Sequence, residues 1–424
     1  MSKICRLILF TIFVTAPLAE VRAQESLPDA EPATTSEPEQ RIVEGRPALY
    51  SFKRVINPFT WLEAGLRPVA RSAESGFIHR LATRKSNPDK TSGIRFGFGG
   101  TGTGSGMGPV VTPFHRDFLG RGIEVEVPLV YTHRAYQSYQ VQGRIPLGSE
   151  NFVQRLRLEL GAGYSSRAAD DFFGIGNDSR SDDESSFRTV TREASAGFAA
   201  ELNDDWKAGL RGVYRNVGVT NPTTGDSLQD QAGSVSVPGL FGATMGSAAF
   251  SIGRDTQVRE DFAFKGSLDQ LEVSFNDSVG KGDFRYWRYR LTSQHFIPLT
   301  NDNRKVIAFR ALLETNRGRV PFFDMPFLGS QQTLRGFESF RFRDRTALAL
   351  TLEYRYRIWP RIDAGLFVDE GQVAPELGDL GLDRFHTGYG ARLFVWPKPN
   401  TPISIDYGRS RETWRLHVSF KPRF

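Results

Sequence analysis

Cysteine is almost missing from this 424-residue chain: the single one, Cys5, stands near the start, which excludes a disulfide framework and thiolate metal sites. Long apolar runs are missing too. Outside the first 23 residues no stretch of roughly 18 apolar residues occurs, so a membrane-spanning helix is excluded. Histidine is sparse, and His79, His115, His133, His295, His386 and His417 show no metal-ligand spacing, so neither a metal nor another cofactor is expected. A strong charge of one sign is also absent. The formal net charge of +6 is too small for so long a chain to point to nucleic acid as a partner.

What is present begins with a leader. MSKICRLILFTIFVTAPLAEVRA opens on Lys3 and Arg6, runs through apolar residues from Leu7 to Ala19 and ends Val21-Arg22-Ala23, so residues 1–23 read as a signal peptide removed after Sec export. Its removal lowers the net charge by two and takes Cys5 with it. Residues 24–40 hold five acidic residues, three prolines and no basic residue, the composition of a disordered linker. Residues 41–92 reverse the sign, with ten Lys/Arg against four Asp/Glu, and NPFTWLEAGL and SGFIHRLATR give two short amphipathic helical turns. This basic segment is expected in the periplasm, lying against a membrane or entering a lumen.

From residue 93 onward strict alternation takes over. In LALTLEYRYRI, Leu348, Leu350, Leu352, Tyr354, Tyr356 and Ile358 share one face, opposite Thr351, Glu353, Arg355 and Arg357. QRLRLELGAGY and EVEVPLVY repeat the pattern, with Arg155, Arg157, Glu159, Glu124 and Glu126 on the polar side. Apolar and charged faces recurring along so many segments fit a wall with lipid outside and water inside. Sixteen such strands are expected, in residues 93–424. Their connections alternate: LNDD, TNDN and PKPNT are short, whereas 165–186, 220–240, 316–344 and 370–386 are long. The fold class is therefore all-β, a sixteen-stranded antiparallel transmembrane β-barrel of the outer membrane, with short periplasmic turns and long outer loops.

Several stretches invite a chemical reading. GFGGTGTGSGMG contains a formal G-x-G-x-x-G, but no helix follows, so no dinucleotide site is expected; Gly97, Gly99, Gly100 and Gly102 instead make a weak first strand, hence a weak seam against the last. DDFFGIGNDSRSDDESS gathers Asp170, Asp171, Asp178, Asp182, Asp183 and Glu184 without EF-hand spacing, and reads as solvated charge rather than a calcium loop. His417 falls near Ser419 and Ser404, yet reads better as an ordinary lumen-facing residue than as part of a hydrolase; the chain is not expected to be an enzyme. Trp414, Leu416, Val418 and Phe420 share one face before the terminal Phe424, which resembles the C-terminal assembly signal of outer-membrane proteins.

The loop FFDMPFLGSQQTLRGFESF carries Leu334, Arg335, Gly336 and Phe337. Downstream come Leu352-Glu353-Tyr354, then Phe367-Val368-Asp369-Glu370-Gly371, then GYGARLFVWP and PISIDYG; DFLGRG, GRDT and FFGIGN stand earlier. In this order the motifs resemble the bacterial surface antigen superfamily, the BamA/TamA-type barrels that insert or translocate proteins at the outer membrane, over residues 93–424. The resemblance implies that the long loop folds into the lumen, where its arginine meets acidic residues of the wall. Strand parity independently turns Phe367 and Asp369 inward, and Glu353 sits on the charged face of its strand, so Arg335 is expected to meet Glu353 and Asp369 beside Phe367. Gly336 is expected to ease a tight turn. The periplasmic polypeptide-transport-associated (POTRA) repeats usual in the family are not recognisable, as in its short members.

The functional expectation is a barrel that aids protein or lipid assembly or transport in the outer membrane of a Gram-negative bacterium. Expected partners are outer-membrane lipids (lipopolysaccharide or phospholipid), the barrel-assembly machinery that inserts the chain itself, and client or periplasmic partner proteins. A second reading is a passive pore favouring anions through inward Arg155, Arg157, Arg355 and Arg357. A third, a lipid-modifying enzyme, needs a Ser/His pair near the membrane rim.

Overall fold

The computed structural model describes residues 91–424 apart from 101, 151–152, 232–236, 258–264, 281, 398–402 and 421–424. The expected leader, the linker, nearly all of the basic segment and Phe424 thus lie outside the described residues. Alternating Leu, Val, Ile and aromatic residues generate strand after strand: β1 (Ser92–Gly99), β2 (Gly108–Phe118), β3 (Ile123–Glu126), β4 (Leu129–Tyr131), β5 (Gln137–Glu150), β6 (Val153–Phe172), β7 (Ser185–Glu201), β8 (Trp206–Thr220), β9 (Ala243–Asp255) and β10 (Gly266–Ser278). They continue as β11 (Arg285–Pro298), β12 (Lys305–Arg319), a two-stranded ribbon of β13 (Phe327–Leu328) and β14 (Phe342–Arg343), then β15 (Thr346–Trp359), β16 (Ile362–Ala374), β17 (His386–Val395), β18 (Ile403–Arg409) and β19 (Trp414–Phe420). Apart from the ribbon, each strand pairs antiparallel with its neighbour in sequence, β12 passing to β15 across the long loop.

Among the described residues the sheet has 17 strands where sixteen were expected. The difference lies at Pro128, whose missing N–H interrupts one ladder. β3 and β4 keep a single register on both sides of it: Phe114 faces Glu126 and Val111 faces Leu129 on β2, while Gln142 faces Glu126 and Tyr139 faces Leu129 on β5. β6 and β16 also outrun their expected ends, reaching Phe172 and Ala374. Asp170 and Asp171 read as loop charge, but Arg167 takes up Asp170 at 2.5 and 2.7 Å, so the polar stretch continues as strand.

The first strand corrects the reading of the glycine run. β1 ends at Gly99, so Gly100 and Gly102 belong to the following turn rather than to the strand. A Cβ at Gly100 would stand 2.2 Å from the Gly106 carbonyl oxygen, which gives that glycine a steric reason of its own. Among the described residues no ladder joins β1 to β19. Both strands present apolar outward faces, Phe96 at 78% and Leu416 at 60% exposure.

Inside, the two halves differ. Between β11 and β18 the lumen is filled: Phe296, Val306, Ala308, Phe394 and Trp396 pack at the short-turn end. Above them Leu328, Leu334, Phe337 and Phe342 of the 320–345 loop pack on Ala347, Ala349 and Val373 of the wall. Against β5–β10 lies a cavity of about 970 Å³, walled by Gln140, Arg144, Glu193, Lys207, Arg211 and Glu272 among others.

Candidate functional site

The loop after β12 turns into the barrel and sets Arg335 at 1% exposure against β15 and β16. Its guanidinium meets Asp369 side-on, Nε to Oδ2 at 2.8 Å and Nη2 to Oδ1 at 2.7 Å, and donates from Nη1 to Glu353 Oε2 at 3.1 Å. Phe367 lies beneath it, the guanidinium carbon 3.2 Å from the ring centroid. Burial opposes the arginine's charge, and Asp369 overcomes that opposition, holding its pKa above the ordinary value. The four residues brought together on sequence grounds thus form one cluster in space.

That cluster is part of a larger network. Glu353 also accepts from Arg355 at 2.7 Å and from Arg392 at 3.1 Å, and Arg392 grips Asp406 at 2.6 and 2.7 Å. Thr351 donates to Asp369 at 2.9 Å, and Gln331 donates to Asp406 at 3.2 Å. All three carboxylates are fully buried. Burying so many charges is tolerable only because each carboxylate meets more than one donor. Arg392, Asp406 and Gln331 were not anticipated from the sequence.

Gly336 has a different role from the one expected. Its φ is not in the left-handed region. Instead, a Cβ there would lie 2.4 Å from the Arg409 carbonyl carbon, so glycine is required by close approach to β18. The wall makes room in turn. A Cβ at Gly408 would meet the Arg335 carbonyl at 2.6 Å, and one at Gly371 would meet Leu334 at 2.9 Å. Gly390 leaves space for Phe367, 2.6 Å from its absent Cβ. Gly390 stands in GYG, Gly408 in DYG and Gly371 in VDEG, and together they form the slot that the loop occupies.

Two further anchors hold the loop elsewhere. Asp324 takes Arg215 Nη2 at 2.6 and 2.8 Å and the Tyr286 hydroxyl at 2.7 Å, tying the loop to β8 and β11. Burial works to raise the Asp324 carboxyl, but Arg215 and Arg288 hold it below the usual carboxylate range. Arg341 grips Glu412, between β18 and β19, at 2.7 and 2.9 Å, and donates to the Ser179 carbonyl at 2.7 Å. Arg343, its pKa pulled down to about 10 by burial, remains charged at neutral pH among Phe172, Phe187, Phe322, Phe327 and Phe340.

His417 points into the lumen, where its Nε2 donates to the Arg335 carbonyl at 2.9 Å. Among the described residues no hydrogen bond joins it to Ser404 or Ser419, and the buried Ser404 hydroxyl meets no hydrogen-bond partner there. The loop acids separate as well: Asp170, Asp178 and Asp182 turn to Arg167, Arg384 and Arg180. No group of three metal-ligating side chains forms among the described residues. Phe420 lies exposed at the end of β19.

The Omp85 superfamily domain profile matches residues 117–413. The chain belongs to the Omp85 superfamily. Its fold is that of solved family barrels. BamA from Haemophilus ducreyi lacking POTRA domains 1–3 superposes with a TM-score of 0.59 at 16% identity, covering 78% of this chain and 70% of that one. CdiB from Escherichia coli superposes with a TM-score of 0.51 at 14% identity, covering 79% of this chain and 62% of that one. A comparison with curated proteins finds no match. Omp85 barrels are outer-membrane proteins, and Arg335 with its partners stands inside the matched region.

Proposed function

We propose that this Omp85 barrel inserts or moves protein or lipid at the outer membrane, with the β1/β19 seam as the opening and the 320–345 loop as the element that governs it. One observation carries the reading: the loop grips the strand that borders the seam. Gly336 lies against Arg409 and Ser410, Arg341 holds Glu412, Glu338 pairs with Arg415, and the Arg335 carbonyl accepts from His417. A strand held from the lumen side by two contacts of its own and by two more on β18 and the turn that leads into it, with no described ladder on its other edge, has its position set by the loop. The glycines of β1 weaken the facing edge. Its clients are then extended protein segments or lipids of the same membrane, and catalysis has no part in the cycle. A cysteine pair joining β1 to β19 tests this. Oxidation should halt the delivery of other outer-membrane components and reduction restore it; an outer membrane of unchanged composition under oxidation defeats the reading.

The 970 Å³ cavity favours a pore as second reading. Against anion selectivity, Arg155 and Arg157 pair with Glu201, Arg355 with Glu353 and Arg357 with Asp363. Planar-bilayer recording separates the two: steady conductance by the intact protein supports a pore, and a closed lumen supports the seam.

A further inference from the structure

The lipid-facing surface carries one row that does not suit lipid chains. Trp206 on β8, Arg254 on β9, Asp269 on β10 and Ser293 on β11 stand directly opposite one another, one residue per strand. All four share outward parity with Leu210 and Phe250, which are 56% and 48% exposed. Four residues further along the same strands, Leu210, Phe250, Val273 and Tyr289 form a wholly apolar and aromatic row. The polar row thus marks the edge of the lipid belt at its short-turn end, beside an interfacial tryptophan, where phospholipid headgroups lie.

Its charges are incompletely satisfied from within the protein. Asp269 accepts from the Ser293 hydroxyl at 2.6 Å, and His295 Nε2 stands 2.9 Å from that hydroxyl and 3.3 Å from Asp269 Oδ1. Among the described residues Arg254 has its nearest carboxylate at 3.7 Å, on Asp205, and its side chain stays 43% exposed. The carboxylates of Asp205 and Asp269 remain 44% and 42% exposed on either side of it. A half-exposed guanidinium, flanked by two half-exposed carboxylates, complements a group that carries one negative and one positive charge. Ser293, His295 and Asp269 do not form a nucleophile relay. Serine and carboxylate both meet the same imidazole nitrogen, which leaves the ring unsupported from its far side. Recognition is the chemistry this arrangement suits.

We infer that this row binds the headgroup of a zwitterionic phospholipid of the ethanolamine type, the phosphate on Arg254 and the ammonium between Asp269 and Asp205. The site lies on the opposite face of the sheet from the loop, so its failure leaves the seam reading intact. The test is native mass spectrometry of the full-length protein released from detergent, with dioleoylphosphatidylethanolamine or dioleoylphosphatidylglycerol added. Wild type should retain the ethanolamine lipid in preference to the glycerol lipid. Arg254→Ala should lose retention of both by about tenfold, the loss of one charge-assisted bond, while Arg254→Lys keeps most of it. Asp269→Asn should erase the preference but keep phosphate-dependent retention. Soluble phosphoethanolamine should compete. Heat-modifiable mobility confirms that each variant is folded. Equal retention of the two lipids by wild type, unchanged retention by folded Arg254→Ala, or failure of phosphoethanolamine to compete overturns the assignment.

Discussion

Replacing Arg335 with alanine isolates the network on which the loop rests. The substitution removes two bonds to Asp369, at 2.7 and 2.8 Å, and one to Glu353 at 3.1 Å. Glu353 keeps Arg355 and Arg392, so it loses the least. Asp369 is left fully buried, with the Thr351 hydroxyl at 2.9 Å and the residue-335 backbone N–H at 3.2 Å as its described donors. Breaking a buried pair by removing one partner costs about 3–5 kcal/mol, because the remaining charge has neither water nor counterion. Arg335→Lys keeps a charge but not the fork and should cost about 2 kcal/mol. Combining Arg335→Ala with Asp369→Asn removes the orphaned charge and should recover about 2 kcal/mol of the single variant's loss. Urea unfolding in detergent, followed by tryptophan fluorescence alongside the heat-modifiable gel shift, measures all three. An Arg335→Ala midpoint within about 0.5 kcal/mol of wild type, or a double variant as unstable as the sum of both singles, refutes the account.

The steric slot makes an independent prediction. Gly336→Ala places a methyl 2.4 Å from the Arg409 carbonyl carbon, and Gly408→Ala places one 2.6 Å from the Arg335 carbonyl, so each should cost about 1–3 kcal/mol in the same unfolding assay. The second anchor predicts a pH dependence. Asp324 has a depressed folded-state pKa, so its contribution is fully present above the unfolded carboxylate value of 3.8 and fades as pH falls through the lower folded one. Protease cleavage of the outer loop should therefore begin only below about pH 4 in wild type, whereas Asp324→Asn should be cut at neutral pH; a variant resistant at neutral pH removes Asp324 from the anchors.

Much of the wall was legible because a period of two is hard to mistake when one side is lipid. LALTLEYRYRI and QRLRLELGAGY assign face and strand together. Pro128 escaped because its neighbours keep the alternation, and only the missing N–H divides β3 from β4. Arg335, Glu353, Phe367 and Asp369 were legible for a similar reason: parity set the inward positions, and resemblance supplied the loop's direction. Asp324 stood in plain view in FFDMP, but its partners Arg215 and Tyr286 lie 109 and 38 residues away, a separation no local pattern reports. Arg254 was equally hidden. GRDT looked like a turn motif, and only the four-strand register places Arg254 between Trp206 and Asp269.

The three anchors also bear on whether the loop braces the barrel or works it. Asp324 fastens it to β8 and β11, Arg335 to β15 and β16, and Arg341 to the β18–β19 turn. Ejecting the loop as one body breaks every one of these, at a cost comparable to the roughly 5–15 kcal/mol that holds a typical domain folded. A motion confined to β19 asks for far less. The Glu338–Arg415 pair is partly exposed, and the His417 bond is a single hydrogen bond to a carbonyl. Two contacts of that kind cost on the order of 1–3 kcal/mol together. The division of strengths leaves the loop firmly held from β8 round to the β18–β19 turn and only lightly held along β19, the strand that the proposed opening would move.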